Sequence, residues 1–247
     1  MSAYGALAGY YDDLTRDVSY EAFADYFERI FSEDGGEHRM LLDLCCGTGT
    51  LSIIMAERGY EVIAADASPD MLMRAKEKAS QIRSGVPPLL ICQDAAELDL
   101  FGTVDAAFSS LDSMNYVPPQ DLIEIMRRLH LFIRPGGLLI FDILAPEYLQ
   151  GMDGTVSVDE RDGLFCLWRG TFDESLNALV YGMDLFIREG DLWRREVEEH
   201  TEYVHETDRL RGLLEEAGFA DVSLRRDGPQ GENGRIFITA KREESDG

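Results

Sequence analysis

The chain has 247 residues, enough for one large domain or for a domain carrying a subdomain, with a substantial core. Its formal net charge of −24 repels polyphosphate, which disfavours DNA or RNA as substrate. No apolar run approaches the roughly 20 residues that span a bilayer, so no membrane partner is expected.

The first residues, Ser2, Ala3, Tyr4 and Gly5, carry neither a basic nor an apolar stretch, which speaks against a signal peptide. Residues 2–33 read as helical with a break near Asp17–Ser19, and Phe23, Tyr26, Phe27, Ile30 and Phe31 form one apolar stripe. Ser32 to Gly36 is a loop. From residue 40, short apolar strands at 40–45, 61–66, 88–93, 104–109 and 137–143 alternate with helices, which argues for a parallel sheet covered on both faces. Gly59 stops the first of these helices. Ser68-Pro69-Asp70 supplies an N-cap, a proline at N1 and an acid in the first turn of the next, where Leu72, Ala75, Ala79 and Ile82 face one way. Met71 and Met73 read as core filler, with Met71 also counted beside the cofactor site. Leu122, Ile125, Met126, Leu129 and Ile133 line a further helix, ended by Pro135-Gly136-Gly137.

After Pro146 the pattern changes to three antiparallel strands at 163–172, 178–188 and 192–204, the last two joined by the hairpin signal Arg188-Glu189-Gly190-Asp191. A helix at 206–217 stops at Gly218, and strands near 219–226 and 234–241 follow. The expected architecture is α/β, a Rossmann-like doubly wound, mostly parallel seven-stranded sheet with an inserted three-stranded antiparallel subdomain. The division is 1–36 helical cap, 37–145 core, 146–205 insert, 206–242 completion of the core and 243–247 disordered tail. The four cysteines, Cys45, Cys46, Cys92 and Cys166, make no C-x-x-C pair; they read as small buried residues, no metal is expected, and a reducing cytoplasm fits.

Four polar features fall at successive strand ends, the crevice where open α/β sheets bind ligands. Gly47-Thr48-Gly49 is a turn leading into a helix whose N-terminus favours an anion. Asp66, about 20 residues on, can accept both hydroxyls of a ribose or cap its own turn. Asp94 follows the third strand, where it can also cap Ala95–Leu98. Ser109 to Tyr116 follow the fourth, small and polar where core residues are not expected. Ser52 stands where a dinucleotide fingerprint wants Gly or Ala, which weakens an NAD-dependent oxidoreductase reading.

The run Asp43-Leu44-Cys45-Cys46-Gly47-Thr48-Gly49 resembles the first motif of class I S-adenosylmethionine (SAM) methyltransferases. The likeness covers Tyr10 to about Lys241 and is strongest to bacterial small-molecule members, which include sugar-amine N-methyltransferases and glycine N-methyltransferase. It rests also on Tyr11-Asp12-Asp13-Leu14, on Asp112-Ser113-Met114-Asn115-Tyr116, and on Arg235 and Lys241 in the final strand. The resemblance implies SAM as cofactor and S-adenosylhomocysteine as product. It implies cofactor contacts from Tyr11, Asp43, Cys45, Gly47, Thr48, Gly49, Asp66, Ala67, Met71, Asp94, Ala95, Leu111, Asp112 and Asn115. Tyr11 would approach the methionine end and Asp94 the exocyclic amine of adenine. Cys46 stands where a small residue is usual, so no thiol chemistry is implied.

The insert concentrates Trp168, Phe172, Tyr181, Trp193 and Tyr203, aromatic walls that suit a cationic or ring-bearing acceptor, pack the insert on the core or form a dimer face. Tyr116, Trp168, Tyr181 and His200 are the expected border of the acceptor pocket. Of the other histidines, His38, His130 and His205 read as incidental or packing residues. The expected activity is in-line methyl transfer to a small-molecule acceptor, nitrogen favoured slightly over oxygen. The alternatives are an NAD-dependent oxidoreductase and a non-catalytic SAM-binding protein. The insert also offers an edge or face for pairing two copies.

Overall fold

The computed structural model describes residues 7–229 and 234–244. The expectations for residues 2–6 and for the end of the tail, 245–247, lie outside them. A short 3-10 turn at Leu7–Gly9 precedes α1 (Tyr11–Leu14) and α2 (Tyr20–Asp34). Ser19 caps α2 by accepting the Ala22 N–H, and Gly35 ends it at φ 71°, a left-handed position open to glycine. The apolar stripe of α2 buries Phe23, Phe27, Ile30 and Phe31 against Leu41, Phe108 and Phe237, each large side chain contributing on the order of 2 kcal/mol.

Strands β1 (Met40–Leu44), β2 (Glu61–Asp66), β3 (Leu89–Cys92), β4 (Val104–Ser109) and β5 (Ile133–Leu144) alternate with α3 (Thr50–Glu57), α4 (Pro69–Ala79) and α5 (Leu122–Phe132). Helix α6 (Pro146–Gly151) leads into the strands of the insert, and after them come α7 (Thr207–Ala217), β10 (Phe219–Arg225) and β11 (Arg235–Arg242). The seven strands are ordered β10-β11-β5-β4-β1-β2-β3. β1 pairs in parallel with both β2 and β4, while β11 is antiparallel to β5. Chain order reverses between β1 and β4, so the crevice at their carboxyl ends is the ligand-binding position of this architecture.

α2 runs on through Ser32–Asp34, which were expected in the loop, and two further expectations change. Ile133 leaves the α5 stripe and opens β5, pairing with Val104; the ladder then slips, and Ala106 pairs with Leu138. Gly137 sits inside that irregularity because a Cβ there would lie 2.6 Å from the Asp105 carbonyl oxygen. The insert has four strands rather than three, ordered β6-β7-β8-β9: β6 (Val156–Arg161), β7 (Leu164–Asp173), β8 (Ala178–Glu189) and β9 (Leu192–Tyr203). β6 is an edge strand whose residues are mostly exposed, so its sequence carries little alternation to read. The inner face of the insert sets Leu164, Cys166, Met183, Leu185 and Ile187 against Leu7, Tyr10, Tyr11 and Leu14.

Burial of the minor residues departs from expectation in three places. Cys92 is exposed, because β3 is the sheet edge, while Cys45 and Cys46 are half-buried and only Cys166 is buried. Met73 points to solvent from α4, unlike buried Met71. Trp193 is exposed and pairs with Arg188 at the far end of the β8–β9 hairpin, away from the core. Among the described residues no helix is long and apolar enough to cross a membrane.

Candidate active site

A cleft of about 580 Å³ lies over the carboxyl ends of β1, β2, β3 and β4, roofed by the insert and walled by residues 7–18. Its volume suits a cofactor-sized ligand. Of the residues singled out from sequence, Tyr11, Cys45, Gly47, Asp66, Ala67, Met71, Asp94, Ala95, Leu111 and Asp112 line one part of it. Tyr116, Trp168, Tyr181 and His200 line another part of the same cleft.

The glycine turn is built to leave backbone bare. Gly47 has φ 55° and a Cβ on it would meet nothing within 4 Å, so the side-chain position is open cleft. Gly49, at φ 71°, instead packs against α4, where a Cβ would lie 3.0 Å from the Ala75 Cβ. Asp66 Oδ2 accepts the Gly47 N–H at 2.8 Å, and Oδ1 accepts the Ser68 N–H at 2.8 Å. The carboxylate thus both caps its own turn and braces the glycine loop. Burial raises its pKa, and the two backbone N–H groups oppose the rise. Asp94 Oδ1 accepts the Ala96 N–H at 2.8 Å, fixing the turn after β3.

Four residues expected at the cofactor do not line the cleft. Asp43 is buried beneath the loop and accepts from the Ser52 hydroxyl; burial pushes its carboxyl up to about 7. Thr48 donates to Asp12 Oδ1 at 2.6 Å, and Lys78 Nζ donates to Thr48, Thr50 and Asp12 at 2.7–2.8 Å, tying the N-terminal wall to the loop. Leu7 N–H donates to Glu198 Oε1 at 2.7 Å and ties the same wall to the insert. Gly49 serves packing. Asn115 is fully buried: its Oδ1 accepts the Leu144 N–H and its Nδ2 donates to the Tyr203 carbonyl, both at 2.9 Å, joining the ends of β5 and β9.

Leu111 and Asp112 both have left-handed φ, 57° and 54°, at a cost of about 1–2 kcal/mol each. Buried Asp142 holds them there, accepting the Leu111 and Asp112 N–H groups at 3.0 and 2.9 Å. Arg235, on β11, donates to Asp142 and, at 2.6 Å, to Asp112. Burial raises Asp112 to about 6 despite the guanidinium beside it.

On the insert side, Trp168 and Tyr181 stack with centroids 5.2 Å apart, and Tyr116 meets His200 edge-on at 6.0 Å. His200 Nε2 is 3.2 Å from Glu198 Oε2. The Tyr116 hydroxyl donates to Glu202 Oε1 at 3.0 Å. Glu202, Gln93 and Asp142 were not found from the sequence, and Arg235 only as part of a motif. Glu198 and Glu202 flank His200 at alternate positions on β9, and two acids there carry no local signal of burial. The pairing of that strand with apolar β8, Glu202 opposite Leu179 and His200 opposite Tyr181, is what turns them inward. Of the other histidines, His38 is buried against Asp34 and His205 Nε2 lies 3.0 Å from the Met114 carbonyl, both structural placements.

Comparison with known proteins agrees with this geometry. The family described as a methyltransferase domain matches residues 41–137. The chain is 28% identical over 246 residues to a putative methyltransferase, YqeM, of Bacillus subtilis strain 168, with 97% of each chain covered. A solved SAM-dependent methyltransferase from Clostridium acetobutylicum superposes with TM-score 0.82 at 27% identity, covering 97% of this chain and 99% of that one. The sugar N-methyltransferase KedS8 of Streptoalloteichus shares the fold at TM-score 0.81 and 21% identity, covering 95% and 93%.

The chain carries a methyltransferase domain, and its fold and site are those of a SAM-dependent methyltransferase. SAM is its cofactor, and the residues present fit it. The Gly47 position leaves room for close backbone approach, the half-buried Asp66 carboxylate stands at the end of β2, and Leu44, Ala67, Met71 and Ala95 give the cleft apolar walls.

Proposed function

We propose that the protein methylates a small molecule, with nitrogen favoured over oxygen as the acceptor atom. The observation that carries this reading is the continuity of one cleft from the Gly47–Asp66 loop to the Trp168–Tyr181 stack. Aromatic faces beside a group of buried carboxyls suit a cationic or amine-bearing acceptor. The fold shared with a sugar N-methyltransferase supports the same choice.

On this reading Asp66 holds the ribose hydroxyls, Asp94 the adenine amine and Tyr11 the methionine end. Gly47 lets the loop backbone come close. Tyr116, Trp168, Tyr181 and His200 border the acceptor. When bound, SAM supplies an electrophilic methyl group and its own leaving group. The protein therefore contributes orientation and exclusion of water, which account for much of the rate in such transfers. The insert and residues 7–18 provide that exclusion by closing over the strand ends.

Calorimetric titration with SAM, S-adenosylhomocysteine and NAD, with Asp66→Ala as control, tests the cofactor assignments. Micromolar binding of SAM and S-adenosylhomocysteine, lost in the variant, is expected. A screen of amine and hydroxyl acceptors, read by S-adenosylhomocysteine release, then tests the acceptor. Transfer to hydroxyl compounds alone would overturn the preference for nitrogen. SAM binding with no transfer to any acceptor would favour a non-catalytic binder.

A further inference from the structure

We propose that Glu202 takes the proton from an ammonium acceptor, so that the nitrogen presents a lone pair to the methyl group. The proposal rests on the amine reading above and names the residue that makes it work. Glu202 lines the cleft from β9 yet is only 5% exposed. The Tyr116 hydroxyl holds Oε1. No hydrogen bond from another described residue reaches Oε2, so that oxygen remains for a ligand.

The surroundings explain why the carboxyl is suited to this. Glu202 sits among Asp112 from the loop after β4, Arg235 from β11 and Tyr181 from β8, with His200 and Glu198 on its own strand and Tyr148 of α6 lining the same cleft. Arg235 is already engaged by Asp112 and by Asp142 of β5. One guanidinium therefore faces several carboxyls. Burial first, then the charge of Asp112, push Glu202 up to about 8, against the pull of the Tyr116 hydroxyl and Arg235. A carboxyl titrating there is close to the range of an amine, which makes proton exchange between the two nearly balanced. In the step, an N–H bond of R–NH3⁺ breaks, its electron pair stays on nitrogen, and an O–H bond forms on Glu202. The charges of the carboxylate and the ammonium cancel, so a lone pair appears without leaving a new charge buried.

The test uses the whole protein saturated with S-adenosylhomocysteine and labelled with 13C at glutamate side-chain carboxyls. Glu202→Gln identifies the Glu202 resonance, and Glu202→Asp provides a second assignment should the glutamine variant fold poorly. The expected result is a carboxyl that titrates near pH 8. Its midpoint should fall when methylammonium chloride is added, and not with the same concentration of potassium chloride. With an amine acceptor from the screen, Glu202→Gln should lower kcat by about 100-fold and remove the limb of the pH profile that rises through the Glu202 titration, with S-adenosylhomocysteine affinity unchanged. A carboxyl that titrates in the ordinary range, or one indifferent to methylammonium, overturns the proposal. Failure of wild-type protein to bind S-adenosylhomocysteine would instead strike the methyltransferase reading itself. Transfer only to hydroxyl acceptors, with the carboxyl titrating as expected, would strike the amine reading.

Discussion

Gly47→Ala and Gly59→Ala form a matched pair that separates backbone strain from ligand approach. Both glycines have positive φ, 55° and 100°, and a Cβ on either meets nothing within 4 Å. Neither substitution clashes in the free protein, so the stability cost is the left-handed penalty alone, about 1–2 kcal/mol. Gly47 lies inside the left-handed region that L residues can reach, while Gly59 lies well beyond it. Gly59→Ala should therefore be the more destabilised, with each kcal/mol lowering Tm by about 2–4 °C in a protein of this size. Affinity should order the other way. The Cβ of Gly47→Ala enters the cleft, whereas Gly59 follows α3 outside it. Calorimetry should show S-adenosylhomocysteine affinity reduced by about 10-fold or more at Gly47→Ala, the equivalent of roughly 1.4 kcal/mol, and unchanged at Gly59→Ala. Wild-type affinity in Gly47→Ala, or an equal loss in both, would refute the idea that the loop is bare to admit the cofactor.

Asn115→Ala removes both links between β5 and β9 and orphans a backbone N–H and a carbonyl. At about 1–3 kcal/mol for each of the two unsatisfied groups, denaturant titration should show a loss of roughly 2–6 kcal/mol. Arg235→Met leaves Asp112 and Asp142 without their cation and should cost about 3–5 kcal/mol in the same assay; adding Asp142→Asn should recover part of it. Stability should also report Glu202. Folded, Glu202 keeps its proton up to about pH 8. Unfolded, it loses the proton near ~4.3. Between those values the folded state binds more protons, so this contribution to stability falls as pH rises. Melting curves should show Glu202→Gln gaining on wild type steadily from acid pH to about pH 8 and no further above it. A difference that does not vary with pH would refute the buried, proton-holding carboxyl.

The parts of the fold that were legible are those where local signals and tertiary burial agree. Ser68-Pro69 starts α4, Gly218 ends α7, and the Leu179-to-Ile187 alternation is the buried face of β8. Ile133 misled because an apolar residue four positions after Leu129 continues a helical stripe on paper. The competing fact is long-range, its pairing with Val104. β6 was missed because an exposed edge strand needs no apolar face. At the site, the strand-end acids were legible because their position in the βα pattern is local. Glu202 was not, because its burial depends on which strand faces β9 and on Tyr116, a residue 86 positions away in sequence.

The wall formed by residues 7–18 has a kinetic consequence. It is joined to the rest of the protein by the Asp12 links to Thr48 and Lys78, by the Leu7 N–H on Glu198 and by the Arg161–Asp17 pair, and no described strand of either sheet runs through it. Swinging it aside breaks a few polar contacts and a small apolar patch while both sheets stay intact, so this opening belongs to the low-energy local motions of the protein rather than to its unfolding. Product escape can then be governed by a segment that takes no part in the chemistry. Because one of its fastenings is the half-exposed Asp12–Lys78 pair, added salt should speed that escape while leaving the transfer step itself untouched.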